Sequence, residues 1–187
     1  MPDALYFTGD AAADELIARD PLALLIGFAL DQQVTVPTAF SGPRKLQQRL
    51  GGLDAGTIAA MPPEELEAAF REKPAVHRFP GAMAKRVQEL CAHVEAEYGG
   101  DAARVWTDAA DSADLRRRIE GLPGFGEMKV KALAAVLAKR FGIATAEPLV
   151  PDHPTLGDVD SLEALEEYQS AKRAYKQAVR AGQTPTW

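Results

Sequence analysis

A short glycine-containing loop between two helix-forming segments carries the clearest chemical information in this 187-residue chain. Glycines at this spacing leave backbone N–H groups uncovered at a helix start, where the partial positive charge of the helix suits a phosphate. Lys129 and Lys131 follow just inside the next helix, so the hairpin could hold a DNA backbone without reading its sequence. A plain helical turn is the alternative, because two glycines alone are a weak pattern. The loop consists of Leu122, Pro123, Gly124, Phe125 and Gly126.

The overall charge argues against a nucleic-acid partner. The chain has 21 Lys and Arg against 27 Asp and Glu, which gives a net charge of −6, and neutralising phosphates requires basic residues. What matters is whether those residues gather on one face. Arg116, Arg117 and Arg118 precede the hairpin, and Lys139 and Arg140 end the helix after it. Clustering there favours DNA binding, whereas cations spread over all faces favour a helical interaction protein.

An all-α fold is expected because helical periodicity and helix start and stop residues recur along the chain. The pair Asp20-Pro21 starts a helix that is apolar almost all round and should therefore be buried. Pro37 and Gly42-Pro43 break the following segment, so the next helix is expected from Arg44 to Leu50. The stretch from Leu5 to Thr8 is the one weak candidate for a strand.

The domain organisation follows from the same patterns. We expect one unit over residues 1–187, in which residues 21–120 form mainly a central helical lobe. Residues 113–141 form the two helices around the glycine loop. Three prolines make residues 143–160 irregular, and the alternating charges of residues 161–180 are typical of a solvated surface helix.

With its flanking helices, the L-P-G-F-G segment resembles the helix-hairpin-helix motif of the DNA glycosylase superfamily that includes endonuclease III (HhH-GPD). A second segment, LLIGFALDQQVTV, is similar to the family's early helix and to the loop whose glutamine fills the gap left by an extruded base. Gln33 falls at the family's glutamine, with Gln32 beside it. The resemblance covers about Pro21 to Asp152 and implies an all-α, two-lobed fold, base-excision DNA repair, and a damaged-base DNA duplex as partner.

The resemblance also implies a catalytic carboxylate after the hairpin, where it would stabilise positive charge on the sugar as the base leaves. The sequence L-V-P-D-H resembles the L-P-D-D of the alkyladenine branch and makes Asp152 the catalytic candidate, with His153 replacing the second aspartate. Endonuclease III spacing falls on Ala146 instead. Asp31, beside the glutamine loop, is the runner-up. The ordinary alternatives are a surface aspartate and a helix-end residue that bonds locally. The L-P-D-D similarity slightly favours alkylated purines as substrates.

The remaining expectations concern nucleophile and cofactors. The position of the family's nucleophilic lysine is Met128, which cannot form a Schiff base, so a monofunctional glycosylase using water is expected. Lys129 projects about 100° further round the helix, where phosphate contact is expected. The single cysteine, Cys91, excludes a four-cysteine iron–sulfur cluster. By resemblance, a monovalent or hard cation would bind the hairpin carbonyls of Glu120, Leu122 and Phe125.

A non-catalytic function is the second hypothesis. The same fold without a catalytic carboxylate would be a DNA-binding module that recognises distorted or damaged duplex. Candidates to stack on a flipped base are Phe28, Phe40, Phe79 and Trp106, each of which more often belongs to a core. Trp187 is expected to be mobile. The chain shows neither a secretory leader nor a membrane-length apolar run, so a cytoplasmic, nucleoid-associated monomer is expected.

Overall fold

The computed structural model describes residues 1–185 and is all-α over that range. Trp187 lies outside the described residues. Two short 3₁₀ helices, Ala144–Leu149 and Leu156–Asp158, fall in the segment expected to be irregular. The α-helices are Ala11–Arg19 (α1), Pro21–Leu30 (α2), Val36–Leu50 (α3), Ala55–Ala60 (α4), Pro63–Arg71 (α5), Pro80–Tyr98 (α6), Arg104–Thr107 (α7), Ser112–Gly121 (α8), Glu127–Phe141 (α9) and Leu162–Arg180 (α10).

The helices pack in two groups. In the first group, α1, α2 and α3 pack on one another, and α4 and α5 pack on α6, which also contacts α2. In the second group, α9 packs on both 3₁₀ helices, α8 packs on the first of them and α7 packs on α8. The helix with the glutamine loop and the hairpin helices therefore belong to different groups. No described helix is long and apolar enough to cross a membrane.

The helix α2 is buried along almost its entire length, as its composition predicts. Asp20 caps it by accepting hydrogen bonds from the N–H groups of Leu22 and Ala23. Every residue from Leu22 to Leu30 is buried. The crossing with α3 is close, because a Cβ added at Gly27 would lie 2.4 Å from the Phe40 ring. The close crossing fixes the orientation of α2 and therefore the position of the loop with Gln32 and Gln33 that follows it.

The helix α3 is longer than expected, and the prediction that it begins at Arg44 is wrong. It begins at Val36, where Thr35 provides the cap, and Pro43 lies inside it. A proline in a helix interior costs a hydrogen bond. The neighbouring Gly42 is buried, and its missing side chain lets Leu30 approach.

The N-terminal segment forms no strand and wraps around a buried carboxylate instead. The N–H groups of Phe7 and Thr8 donate to Asp14 Oδ1 at 3.0 and 2.9 Å. Leu5 and Phe7 are buried, and the Phe7 ring lies 5.1 Å from the Phe40 ring. This segment is therefore part of the first group of helices.

The helix α6 carries the single thiol of the chain. Cys91 is buried, and burial raises the pKa of its thiol to about 12. A thiol held protonated in an apolar core is a packing group and not a nucleophile.

Candidate nucleic-acid interface

The loop after α2 turns sharply at Gln33. This residue has a φ of 55°, the left-handed region that residues with a side chain rarely adopt. Gln33 is exposed, whereas Gln32 is half-buried and its amide nitrogen donates to the Ala29 carbonyl at 3.2 Å. Strained backbone of this kind persists only where the surrounding structure holds it.

His77 provides part of that support. Its Nδ1 accepts the N–H of Phe79 at 3.0 Å, so its Nε2 carries the proton and donates to the Gln32 carbonyl, also at 3.0 Å. The side chain is buried, and burial lowers its pKa. A neutral histidine therefore ties the glutamine loop to the segment that leads into α6.

The hairpin loop is anchored by two apolar side chains and left open at its second glycine. Leu122 and Phe125 are buried, and the Phe125 N–H donates to the Leu122 carbonyl at 3.0 Å. Gly124 has a φ of 81° and therefore requires glycine. No side chain caps the start of α9, and a Cβ added at Gly126 would meet nothing within 4 Å. The first N–H groups of α9 are thus suited to an anion.

Lys129 extends from α9 towards the end of α2. Its Nζ donates to the Ala29 carbonyl at 3.3 Å and lies 5.4 Å from the centre of the Phe125 ring. Burial lowers the Lys129 pKa to about 8, and the Asp31 carboxylate opposes that shift. Met128 is 78% exposed and takes no part in this contact.

Asp31 lies near Lys129, in the cleft between the glutamine loop and the hairpin. Its backbone N–H ends α2 by donating to the Phe28 carbonyl at 3.3 Å. Burial raises the pKa of Tyr168, on α10, to about 12, and the negative charges of Asp31 and Asp158 contribute. The cleft between the glutamine loop and the hairpin thus brings together Asp31, Lys129 and Tyr168.

The sequence of the chain matches the model of a known protein family. A family model described as HhH-GPD superfamily base excision DNA repair protein matches residues 26–182, most of the chain. The chain belongs to the HhH-GPD superfamily. This assignment confirms the predicted family membership and the all-α fold. It establishes base-excision DNA repair and DNA binding at family level, in a superfamily made up generally of DNA glycosylases. No curated protein and no solved structure matches the chain significantly.

In this HhH-GPD chain, Asp152 lines a cavity whose lining includes neither Gln33 nor Lys129. Asp152 is exposed, and the cavity has a volume of about 440 Å³ and also includes Arg116, Lys131 and His153. Lys131 is two positions after Lys129, about 200° round α9. The two candidate carboxylates line different cavities.

Most cations that the sequence assigns to the hairpin are paired with neighbouring carboxylates. Pairing within the protein reduces what these charges offer to a phosphate. The pairs are Arg116 with Glu120 and Glu127, Arg117 and Arg118 with Asp114, Lys131 with Glu127, and Lys139 with Asp158.

Sequence reasoning missed Arg86, whereas it had named Phe79 as a stacking candidate. The Arg86 guanidinium on α6 lies against Gly124, where an added Cβ would come 2.9 Å from its Nη1. Phe79 is 41% exposed, with the Arg78 guanidinium 4.8 Å from the ring centre. The approach of Arg86 to Gly124 joins distant segments of the chain, which local sequence spacing does not predict. Of the proposed stacking residues, Phe28, Phe40 and Trp106 are buried in the core.

The hairpin carbonyls fit the expected cation in donor chemistry. Hard cations prefer oxygen ligands, and the Leu122 carbonyl keeps a second lone pair beside the one used by Phe125. In the part of the chain that the structure describes, no cluster of three or more His, Cys, Asp or Glu side chains could hold a metal.

Proposed function

We propose that this protein is a monofunctional DNA glycosylase that hydrolyses the N-glycosidic bond of a flipped, damaged base. The observation that carries the proposal is the cleft where Gln33, Asp31 and Lys129 meet beside the hairpin. The reaction class follows from the superfamily. Within one site, the cleft contains a side chain that can enter the duplex (Gln33), a carboxylate (Asp31) and a cation (Lys129).

Binding would use the hairpin and the glutamine loop together. A phosphate would accept hydrogen bonds from the start of α9, with Lys129 and Arg86 adding positive charge and Lys131 a further candidate contact. Gln33, with Gln32 behind it, would enter the duplex and fill the space of the extruded base. The neutral His77 would keep the loop from collapsing as it enters.

The chemistry requires a carboxylate at the sugar. As the glycosidic bond breaks, its electron pair leaves with the base, and the carboxylate stabilises the positive charge that develops on the sugar. Water then forms the new bond at C1′ and gives up a proton. Asp31 is favoured for this role because it shares the cleft with Gln33, and Asp152 is the second candidate.

Alkylated purines remain the favoured substrate class. Alkylation at a ring nitrogen makes the base cationic, and a cation is attracted to an exposed aromatic ring such as that of Phe79, provided that it takes the face not covered by Arg78. We further propose that the protein acts as a cytoplasmic, nucleoid-associated monomer, with a monovalent or hard cation at the carbonyls of Glu120, Leu122 and Phe125. Loss of duplex affinity in chelated, monovalent-free buffer would support this cation.

The decisive experiment uses labelled duplexes carrying alkylated, deaminated or oxidised bases, each read with and without hot alkali. Strand cleavage only after alkali is the expected result, and it would also name the substrate class. Cleavage without alkali that disappears in Lys129→Met would replace the monofunctional assignment with lyase chemistry by the Lys129 amine.

Two matched variants separate the carboxylates. Asp31→Asn should abolish excision while duplex binding, read by gel shift, is retained, and Asp152→Asn should leave excision within about threefold. The reverse pattern would assign the role to Asp152. No excision of any lesion, with binding retained, would favour the non-catalytic DNA-binding module. The exposed position of Asp152 outside the cleft is the observation that supports that second function.

A further inference from the structure

The last helix divides into an acidic and a basic half. Its first turns contain Glu163, Glu166 and Glu167, whereas residues 168–187 contain no Asp or Glu. A stretch of 20 residues with basic side chains and no acidic ones is unusual in a chain with a net charge of −6. The four cations of this half are called here the α10 cations: Lys172, Arg173, Lys176 and Arg180.

The α10 cations differ from those of the hairpin in their pairing. No described carboxylate forms an ion pair with any of the four, whereas the hairpin arginines are paired. The Lys172 ammonium lies 5.6 Å from the centre of the Tyr168 ring. Arg173, Lys176 and Arg180 are exposed. Their charge is therefore available to an external anion.

The basic half also lies beside the glutamine loop. Lys172, Arg173 and Lys176 line a cavity of about 200 Å³ together with Asp31, Gln33 and Thr35. Three cations against one carboxylate leave this cavity positive. It is open beside the residue expected to enter the duplex.

Apolar packing holds only the start of this half. Leu165, in the acidic half, is the one buried side chain of α10, and Tyr168 packs partly buried against the core. Val179 near the end of the helix is 49% exposed. A helix end held by few apolar contacts, with cations directed at a functional loop, is suited to binding and not to core formation.

We propose that the basic half of α10 is a second DNA-backbone contact, which holds phosphates beside the base pair that Gln33 enters. The inference rests on the proposed function, because duplex DNA is the partner it invokes. The hairpin and the α10 cations would then grip the backbone on the two sides of the cleft.

The test compares three variants with the wild-type protein by fluorescence anisotropy on a labelled duplex, over a range of salt concentrations. The first, K172Q/R173Q/K176Q, removes three charges of the basic half. The second, K172R/R173K/K176R, keeps the charge at the same positions. The third, R19Q/R71Q/K85Q, makes the same change in net charge at exposed positions of α1, α5 and α6. Thermal melts check that each variant is folded.

We expect K172Q/R173Q/K176Q to lose roughly tenfold or more in affinity at low salt. The slope of log affinity against log salt should shrink by about 2 to 3, since each lost phosphate contact removes about 0.9. The other two variants should stay within about threefold of the wild type. If K172Q/R173Q/K176Q binds the duplex as tightly as R19Q/R71Q/K85Q does, and the wild type also binds tightly, the α10 contact is overturned and the proposed function stands. If the wild type binds no duplex, both fail.

Discussion

At the scale of single residues, the Lys129 amine makes the stability of the protein depend on alkaline pH. Its pKa is about 8 in the folded protein against 10.5 for a free lysine. Between these values the unfolded chain binds more protons, so the contribution of this group to stability rises with pH. Below about pH 8 the charge is present in both states and burial opposes it.

We expect urea unfolding of the wild type and of Lys129→Met to diverge over that range. The wild type should gain stability relative to the variant from about pH 8 to about pH 10. Cys91 and the buried tyrosines titrate in the opposite direction, but they are common to both proteins and cancel in the difference. A difference independent of pH would show that Lys129 keeps its ordinary pKa.

His77 gives a second, acid-side prediction. The folded pKa is lowered by burial, so the stability it supports is present above about pH 6.5 and is lost as pH falls towards the folded pKa. His77→Ala leaves the Gln32 carbonyl and the Phe79 N–H without their partner and should cost about 1–3 kcal/mol at pH 7.5. The cost should shrink below pH 6.5. His93→Ala, at a half-buried position, is the control, and equal losses in both variants would contradict the role of His77.

At the scale of elements, the hairpin allows fold and DNA binding to be tested separately. An Ala side chain at Gly126 meets open space and needs no left-handed backbone, so Gly126→Ala should change stability by less than about 0.5 kcal/mol. The methyl group would nevertheless occupy space where a phosphate approaches the start of α9. Duplex affinity should therefore fall several-fold, as measured by anisotropy. Unchanged affinity in this variant would place the backbone contact elsewhere.

The crossing of α2 and α3 predicts the opposite behaviour. An Ala side chain at Gly27 would overlap the Phe40 ring, so Gly27→Ala should destabilise the protein by about 1–3 kcal/mol. The measurement is the urea midpoint, with Gly126→Ala as the matched glycine substitution in open space. A Gly27→Ala midpoint equal to that of the wild type would mean that the crossing is looser than described.

The same elements explain what the sequence could predict. The hairpin and the buried α2 were predictable because local patterns determine them: two glycines after Leu122, and a capped apolar run after Asp20. The start of α3 was not predictable, because Gly42 and Pro43 favour a break in the local sequence although both lie inside the helix. The position of Asp152 was not predictable either, since family spacing does not specify the path of the two 3₁₀ helices.

At the scale of the whole molecule, a net charge of −6 coexists with DNA binding because the charges are segregated. Carboxylates pair with the hairpin arginines and with Lys131 and Lys139, whereas no described carboxylate forms an ion pair with Arg86 or the α10 cations. The acidic remainder would repel DNA and so orient the approach of the duplex.

We therefore expect a strong dependence of duplex affinity on salt despite the acidic pI. Affinity for undamaged duplex should fall by roughly tenfold or more between 50 and 200 mM salt, which corresponds to a few phosphate contacts. Titrations by anisotropy at several salt concentrations would measure this. An affinity insensitive to salt would contradict the electrostatic account of the cleft.

The burial of Cys91 has a practical consequence for mapping the path of the DNA. The chain contains one thiol, and it is enclosed in the core and protonated at neutral pH. A cysteine introduced at the exposed Met128 would then be the single reactive thiol of the folded protein. Disulfide trapping with thiol-tethered oligonucleotides could locate each nucleotide relative to the hairpin, without first removing any native residue.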